Sequence, residues 1–341
     1  MPVRRGGGNI RPVTVSPWCC ALALFLLLSA CAPKPNPPQE PLGPSVRIIT
    51  IDVGQGDALL IIGTDGTVVL FDGGGLDAVE PVRMAIQQHT AGRVDHVVVS
   101  HFHADHMAGL AEYLLGADGR VGTSDDGAPD ATLWDHGADQ ECGSLTCDRY
   151  RAARGTRGRA MIPLDEIPLG EASLRCVAAN GAVSGATRVV PTDENARSIA
   201  LLLTLGDFRA LLGGDLTGGG DGTANVETSV AAATGPVDLL KINHHGSRTS
   251  TNLTALQRWL PRAAVISLGT NNTYCHPAPE VLQRLDGTGT RIFATGSGVM
   301  LADSDCPTVT AWPAGASFGL GTVEAVAYGN RDLFIAGEEV P

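Results

Sequence analysis

The chain has 341 residues, 43% of them hydrophobic, which is enough for one large domain with a real core and excludes a disordered chain. Its formal net charge of -12 leaves no basic footprint for broad binding to duplex nucleic acid. Aromatics are few and glycines number 43, so short strands joined by tight turns are expected.

Residues 1–30 read as an export leader. They begin with Arg4 and Arg5, run apolar from about Trp18 to Leu28, and end in small residues. Leu28-Ser29-Ala30-Cys31 has the form of a lipoprotein box, with cleavage before Cys31 and a lipid attached to it. Residues 31–45 are proline-rich and predict an extended, solvated tether. The expected location is therefore a membrane surface, outer membrane or cell surface, held by a lipid anchor only. Beyond the leader no run is apolar and long enough to predict a membrane span.

From residue 46 the pattern is strand-rich. "VRIITIDV", "DALLIIG" and "TVVLFD" predict a meander. "AVEPVRMAIQQH" has helical spacing, "RVDHVVVS" is a buried strand and "MAGLAEYLL" a helix. Residues 116–159 are polar and rich in Gly, Asp and Arg, and predict an insertion. Its clustered Asp118, Asp125, Asp126 and Asp130 fit no EF-hand loop and read as a solvated acidic turn. The second half repeats the theme. "ASLRCVAA", "SIALLLTL" and "FRALLGG" are strands, then "ANVETSVAAAT" (helix), "VDLLKIN" (strand), "TNLTALQRWL" (helix), "AAVISLG" (strand), "APEVLQRL" (helix) and "TRIFAT" (strand) follow. Meanders followed by strand–helix alternation, twice over, predict two mixed sheets packed face to face with helices outside. The folded domain is set at 46–312, and 313–341 is left as a tail without assigned elements.

The chemistry concentrates at the end of "VVVSHFHADHMAGL". His101 and His103 share one face of an extended segment. Asp105 and His106 follow where the chain turns into a helix. Imidazole and carboxylate are the usual donors for zinc and similar divalent ions. Two adjacent pairs suggest two ions, which could clamp a water and a substrate oxygen together. Further donors stand at other strand ends: Asp72, Asp215, His244 and His245. Of the cysteines beyond the leader, Cys142 with Cys147 closes a short loop, Cys275 with Cys306 is a second candidate bridge, and Cys176 reads as a buried thiol.

The phrases "DVGQGDALLI", "FDGGG", "SHFHADHMAGL", "ENARSIALLL", "LLGGDL", "LKINHHGS" and "NTYCHPAPEVL" run in order from Asp52 to about Leu282. In them the chain resembles the metallo-β-lactamase fold superfamily, and in particular the metallo-hydrolase domain of the ComEC competence proteins. The resemblance implies a four-layer αββα sandwich with metals at one edge between the sheets. It implies that His101 and His103 hold the first ion, Asp105 and His106 the second, and Asp215 both. His244 joins the second, favoured by strand phase over His245, its neighbour or alternate. Asp72 orients a histidine from behind, and Asp57 is assigned the same supporting position. A histidine usual before "SIALLL" is absent, so Asn195, or nearby Asp193 or Glu194, completes the first site. Oxygen donors there admit manganese as well as zinc. His276 is a candidate proton donor to a leaving group or a phosphate holder, and Lys241 a candidate partner for an anionic substrate.

The expected function is metal-assisted hydrolysis, of a phosphodiester or nucleic-acid-like substrate first, with catalytic roles for Asp105, Asp215 and His276. An acyl-ester, lactone or β-lactam hydrolase is the alternative on the same fold. A surface binding lipoprotein with a degenerate metal site is the alternative outside catalysis. With no predicted span after the leader, the DNA channel of the ComEC proteins is not expected here.

Overall fold

The computed structural model describes residues 43–137, 142–302, 306 and 308–341; the leader, most of the tether and Cys31 lie outside the described residues. In chain order the first half runs β1 (Ser45–Thr50), β2 (Leu59–Ile62), β3 (Val68–Phe71), α1 (Val79–Thr90), β4 (His96–Val98), α2 (Ala104–Leu115), β5 (Thr132–Asp135), α3 (Leu145–Arg154) and β6 (Gly158–Ala160). The second half runs β7 (Glu166–Leu169), β8 (Ala172–Ala179), β9 (Ala182–Val183), β10 (Ala200–Leu205), β11 (Phe208–Gly213), β12 (Gly218–Gly220), β13 (Thr223–Asn225), α4 (Glu227–Thr234), β14 (Leu239–Lys241), α5 (Leu253–Trp259), β15 (Ala263–Ile266), α6 (Pro279–Gly287) and β16 (Arg291–Ala294). The chain closes with β17 (Val323–Tyr328), β18 (Leu333–Ile335) and β19 (Glu338–Glu339).

Among the described residues one sheet has the order β19-β18-β17-β1-β2-β3-β4-β5-β6, and the other β16-β15-β14-β11-β10-β8-β7 with β9 on β8. Each sheet begins as an antiparallel meander and becomes parallel, at β3–β4–β5–β6 and at β11–β14–β15–β16. Parallel neighbours need crossovers, and α1 to α6 supply them, one each.

Period-two alternation builds three apolar layers from these strands. Val69, Phe71 and Val98 of the first sheet meet Leu201, Leu203 and Leu212 of the second. Val68, Leu70, Val97 and Val99 face the other way, onto Val82, Ile86 and Leu110 of α1 and α2. Leu202, Leu211 and Leu240 pack on Val230, Leu256 and Leu282 of α4, α5 and α6. The result is the four-layer αββα sandwich. Each fully buried Leu, Ile, Val or Phe contributes roughly 1.5–3 kcal/mol, so both faces of each sheet are held.

Two boundaries differ from those expected. Residues 313–341 are not a tail beyond the domain: β17 pairs antiparallel with β1 from Ser45↔Tyr328 to Thr50↔Val323 and continues the first sheet. The buried face of β17 is Val323, Ala325 and Ala327, whose small side chains mute the strand signal. Nor is 116–159 wholly an insertion, because β5 and β6 extend the same sheet in parallel past β4.

The structure pairs Cys142 with Cys147 and Cys275 with Cys306 and leaves Cys176 as a buried free thiol. Burial pushes that thiol up to about 12, far from a reactive thiolate.

Candidate metal centre

The carboxyl ends of β3, β4, β11 and β14 open on one edge of the sandwich. They deliver Asp72, His101, Asp215 and the His244–His245 pair, which is where parallel strands of α/β sheets gather ligand sites. Asp105 and His106 come from the first turn of α2, where an acid is favoured by the helix N-terminus. The helix reaches this place because Gly73 and Gly109 allow it. A Cβ on Gly109 would stand 2.3 Å from the Gly73 carbonyl oxygen, and one on Gly73 would stand 2.6 Å from Leu110 Cβ.

Asp215 stands at the middle. Its Oδ1 lies 3.2 Å from His106 Nε2 and 3.6 Å from His245 Nε2. Asp105 Oδ2 closes that inner group, 3.4 Å from His245 Nε2 and 3.9 Å from His106 Nε2. Asp215 Oδ2 faces an outer group instead, 3.8 Å from His101 Nε2 and 3.6 Å from His244 Nε2. His103 Nδ1 is 3.0 Å from His101 Nε2, and Asn195 Nδ2 is 3.4 Å from His244 Nε2. His101, His103 and Asp215 place donor atoms within 4.8 Å of one another, as do His106, His245, Asp215 and Asp57. Asp57, however, lies on the Nδ1 side of both inner imidazoles and is taken by Lys241, so Asp105 is the inner carboxylate that faces the Nε2 atoms.

The ligand edges are held from behind. Asp72 accepts hydrogen bonds from His106 Nδ1 (2.8 Å), Ser100 N (2.7 Å) and Ser100 Oγ (2.6 Å), and the same hydroxyl is 3.0 Å from His101 Nδ1. One aspartate therefore orients a histidine of each group. His245 Nδ1 lies 3.0 Å from the Ser267 carbonyl oxygen and 3.3 Å from Asp57 Oδ1. The amide of Asp215 donates to Ser198 Oγ at 3.0 Å. Glu227, fully buried, accepts from Asn243 Nδ2, Thr251 N and Asn252 N and so clamps the loop that carries the histidine pair. Asp72, His244 and His245 all have left-handed backbone (φ 58°, 50° and 51°), a cost of about 1–3 kcal/mol each that the surrounding bonds sustain.

The electrostatics divide the two groups. Burial alone would lower His106 and His245, but Asp215 with Asp72 raises His106 well above the usual histidine range, and Asp215 with Asp57 brings His245 up to about 10. Burial lowers His101 and His244, and the neighbouring histidines add to it. Burial would raise Asp215, but His106, His245 and His244 hold it well below the carboxylate range.

Several expectations are corrected here. Strand phase favoured His244 for the second site, yet His245 stands with Asp105 and His106 while His244 sits on the outer side. Two successive left-handed residues after Ile242 break the strand phase. Lys241 is 1% exposed and paired with Asp57, so it supports the floor and does not reach a substrate. Asp193 caps the turn at Ala196 N, and Glu194 bonds His136 and Phe102 N, which leaves Asn195, its side-chain amide 3.4 Å from His244, as the residue of the three turned to the site. His276 lines the cavity with its Nδ1 unpartnered among the described residues, 5.5 Å from the His244 ring. Burial, then His245 and His244, press it down to about 3 in the metal-free protein, which weighs against the expected proton donor and leaves the phosphate holder. Ser100, Ser198, Ser267 and Glu227 escaped sequence reasoning. Ser100, directly before the histidine run, is the one whose position gave a signal.

Whether divalent ions fit is answered by the donors. Among the described residues His106 Nε2, His245 Nε2 and Asp215 Oδ1 are buried without hydrogen-bond partners and converge, which is costly unless a cation satisfies them. His/Asp donors suit zinc and manganese. The centre forms the floor of a cavity of about 660 Å³, walled by Gln55, Leu76, Thr146, Tyr274 and His276.

The relatives include ComE operon protein 3 of Bacillus subtilis, 37% identical over 106 residues, covering 31% of this chain and 13% of the relative. Recombination protein 2 of Haemophilus influenzae is 27% identical over 246 residues, covering 71% of this chain and 26% of the relative. The chain thus spans about a quarter or less of the curated relatives it matches. Among solved structures it is similar to the metallo-β-lactamase fold protein YhfI from Bacillus subtilis, at 15% identity and TM-score 0.43 over 74% of this chain and 98% of that one. It is also similar to Zn(2+)-bound PqqB from Methylobacterium extorquens, at 10% identity and TM-score 0.44 over 72% and 97%. The model of the metallo-beta-lactamase superfamily matches residues 51–270, the span that contains every donor described above, and the chain belongs to that superfamily of metallo-hydrolases.

Proposed function

We propose that the protein is a metal-dependent phosphodiesterase, exported and held at a membrane surface by lipid on Cys31. The observation that carries the catalytic part is Asp215, whose two oxygens face two separate donor groups on the floor of an open cavity. His101, His103, Asp215, His244 and Asn195 would hold one divalent ion, and Asp105, His106, Asp215 and His245 the other. Such ions polarise a substrate oxygen and bring a water's pKa from 15.7 toward about 7.

The chain's own residues do the rest. Asp105, with its side chain 31% exposed to the cavity, is the carboxylate of the donor set that stands nearest an incoming water and substrate. His276 offers a hydrogen bond to a phosphoryl oxygen from the cavity wall. Asp72 and Ser100 keep His101 and His106 turned with Nε2 forward. The mixed imidazole and oxygen donor set admits manganese beside zinc. The competence and recombination names among the relatives support a phosphodiester substrate. Among the described residues no helix is long and apolar enough to cross a membrane, which fits anchoring by lipid.

The test is hydrolysis of bis-p-nitrophenyl phosphate by mature protein reloaded with Mn²⁺ or Zn²⁺, beside nitrocefin, a lactone and p-nitrophenyl acetate. Metal-dependent turnover of the diester in preference to the acyl substrates is expected. The opposite preference would make the protein an acyl hydrolase, and metal uptake without any turnover would leave a binding lipoprotein. Radiolabelled palmitate should enter the wild type and not Cys31→Ser.

A further inference from the structure

The cavity over the donors does not end at them. It runs into a second hollow of about 480 Å³ on the surface of α2 and α3, and Leu76, Ala108 and Thr146 line both. The charged groups of this second hollow are paired. Glu112 pairs with Arg149, and Asp148 with Arg151. What remains exposed and apolar is Leu145, 84% exposed, and Leu76, 66% exposed, above the buried Ala108. Large exposed side chains of this kind, continuous with a reactive centre, are a contact surface and not random scatter.

Charge says what kind of molecule would lie there. Among the described residues lining the main cavity there is no Lys or Arg. Arg248, in a third hollow beyond Tyr274, is paired with Asp221 at 2.7 Å. The arginines of the two neighbouring hollows, Arg149 and Arg248, are each paired with a carboxylate, so a polyanion would find little to follow away from the centre, and the chain as a whole carries -12. A single phosphoryl group needs only the cations held by the donors.

We propose that the groove of Leu76, Ala108, Leu145 and Thr146 binds an aliphatic arm of the substrate, so that the protein acts on a singly charged phosphodiester with one apolar substituent. This deepens the phosphodiesterase reading and rests on it. Leu145 lies in the first turn of α3, between the bridged Cys142 and Cys147, so its place at the rim is covalently fixed. Thr146 beside it offers a hydroxyl where groove and cavity join.

The experiment is calorimetric binding of methylphosphonate and hexylphosphonate to the full-length Mn²⁺-loaded protein, wild type and Leu145→Asp, with folding and metal content checked on both. Burial of five added methylenes predicts that hexylphosphonate binds the wild type at least about tenfold tighter than methylphosphonate. Leu145→Asp should reduce that ratio to about threefold or less, since a carboxylate in the groove strands the chain in a polar contact. Affinities for the two phosphonates within about twofold in the wild type would overturn the groove, as would a wild-type ratio in Leu145→Asp. Turnover of p-nitrophenyl methyl and hexyl phosphates separates the two claims. Turnover with no chain-length effect removes the groove alone. A preserved binding ratio with no turnover of either diester removes the phosphodiesterase and keeps the groove.

Discussion

The two donor groups that meet at Asp215 are built differently. The inner one, Asp105, His106 and His245, has both imidazoles fully buried and both backed by carboxylates, Asp72 and Asp57. The outer one, His101, His103 and His244, has His103 exposed, His244 half-buried, and hydroxyls as its rear partners at Ser100 and Thr249. Without metal, the inner histidines become the cations that balance Asp215 and Asp105, and their pKa values rise. In the outer group burial presses His101 and His244 toward neutrality. A preformed cage of charge thus lies beside a more open set that faces the cavity. The inner group should hold its ion more tightly, and the outer one should be the first to lose or exchange it.

Removing a donor from each group sharpens the contrast most. His245→Ala should abolish uptake of the inner ion and lower activity by more than the ~10–100-fold that loss of a rear hydrogen-bond partner costs, while His103→Ala weakens only the outer ion. Equal loss of both ions in both variants, by elemental analysis, would erase the distinction. Next is Lys241→Met, which leaves Asp57 buried without its cation beneath the inner group. Removing one partner of such a pair costs on the order of 3–5 kcal/mol, so chemical denaturation should show a loss of that size. A change under about 1 kcal/mol would mean that Asp57 does not need its lysine. Asp72→Asn comes third. Because Asp72 backs His106 directly and His101 through Ser100, metal affinity should fall about 10–100-fold at both ions, unlike any change made behind one group alone.

The smallest effect is protonic. His245 at about 10 and His106 well above its usual value are protonated in the metal-free protein at pH 7, and each must lose the Nε2 proton to bind an ion. Loading the inner site should therefore release up to about two protons, and loading the outer site, with His101 and His244 already neutral, almost none. Calorimetry in buffers of different ionisation enthalpy reads this, and equal release at both steps would refute it. The sign for stability follows the same shift. A histidine raised on folding stabilises the metal-free protein below its ordinary pKa of about 6.5, and that share is lost as pH rises through about 10. Metal-free protein should therefore denature more easily at pH 10 than at pH 7.

Much of this centre was legible in the sequence because its donors stand at the ends of long apolar strands. His101, His103, Asp105, His106 and Asp215 are all marked by a run of Val or Leu that stops at a ligand. The rest was hidden for physical reasons. Period-two phase cannot pass through two left-handed residues, so it chose between His244 and His245 wrongly. Phase also cannot tell which layer a strand faces, and Lys241 looked available while it points into Asp57. A carbonyl such as that of Ser267 leaves no mark in a sequence at all. The closing strand β17 was missed because its alternating alanines carry little hydrophobic pattern, although its register with β1 is unbroken.

The central claim is that Asp215 is shared by two divalent ions. A crystal of the protein soaked in Mn²⁺, with anomalous scattering recorded above and below the manganese edge, should show two peaks, one beside each Asp215 oxygen, and Asp215→Ala should remove both. A single peak in the wild type away from Asp215, or two peaks that survive Asp215→Ala, would contradict the account.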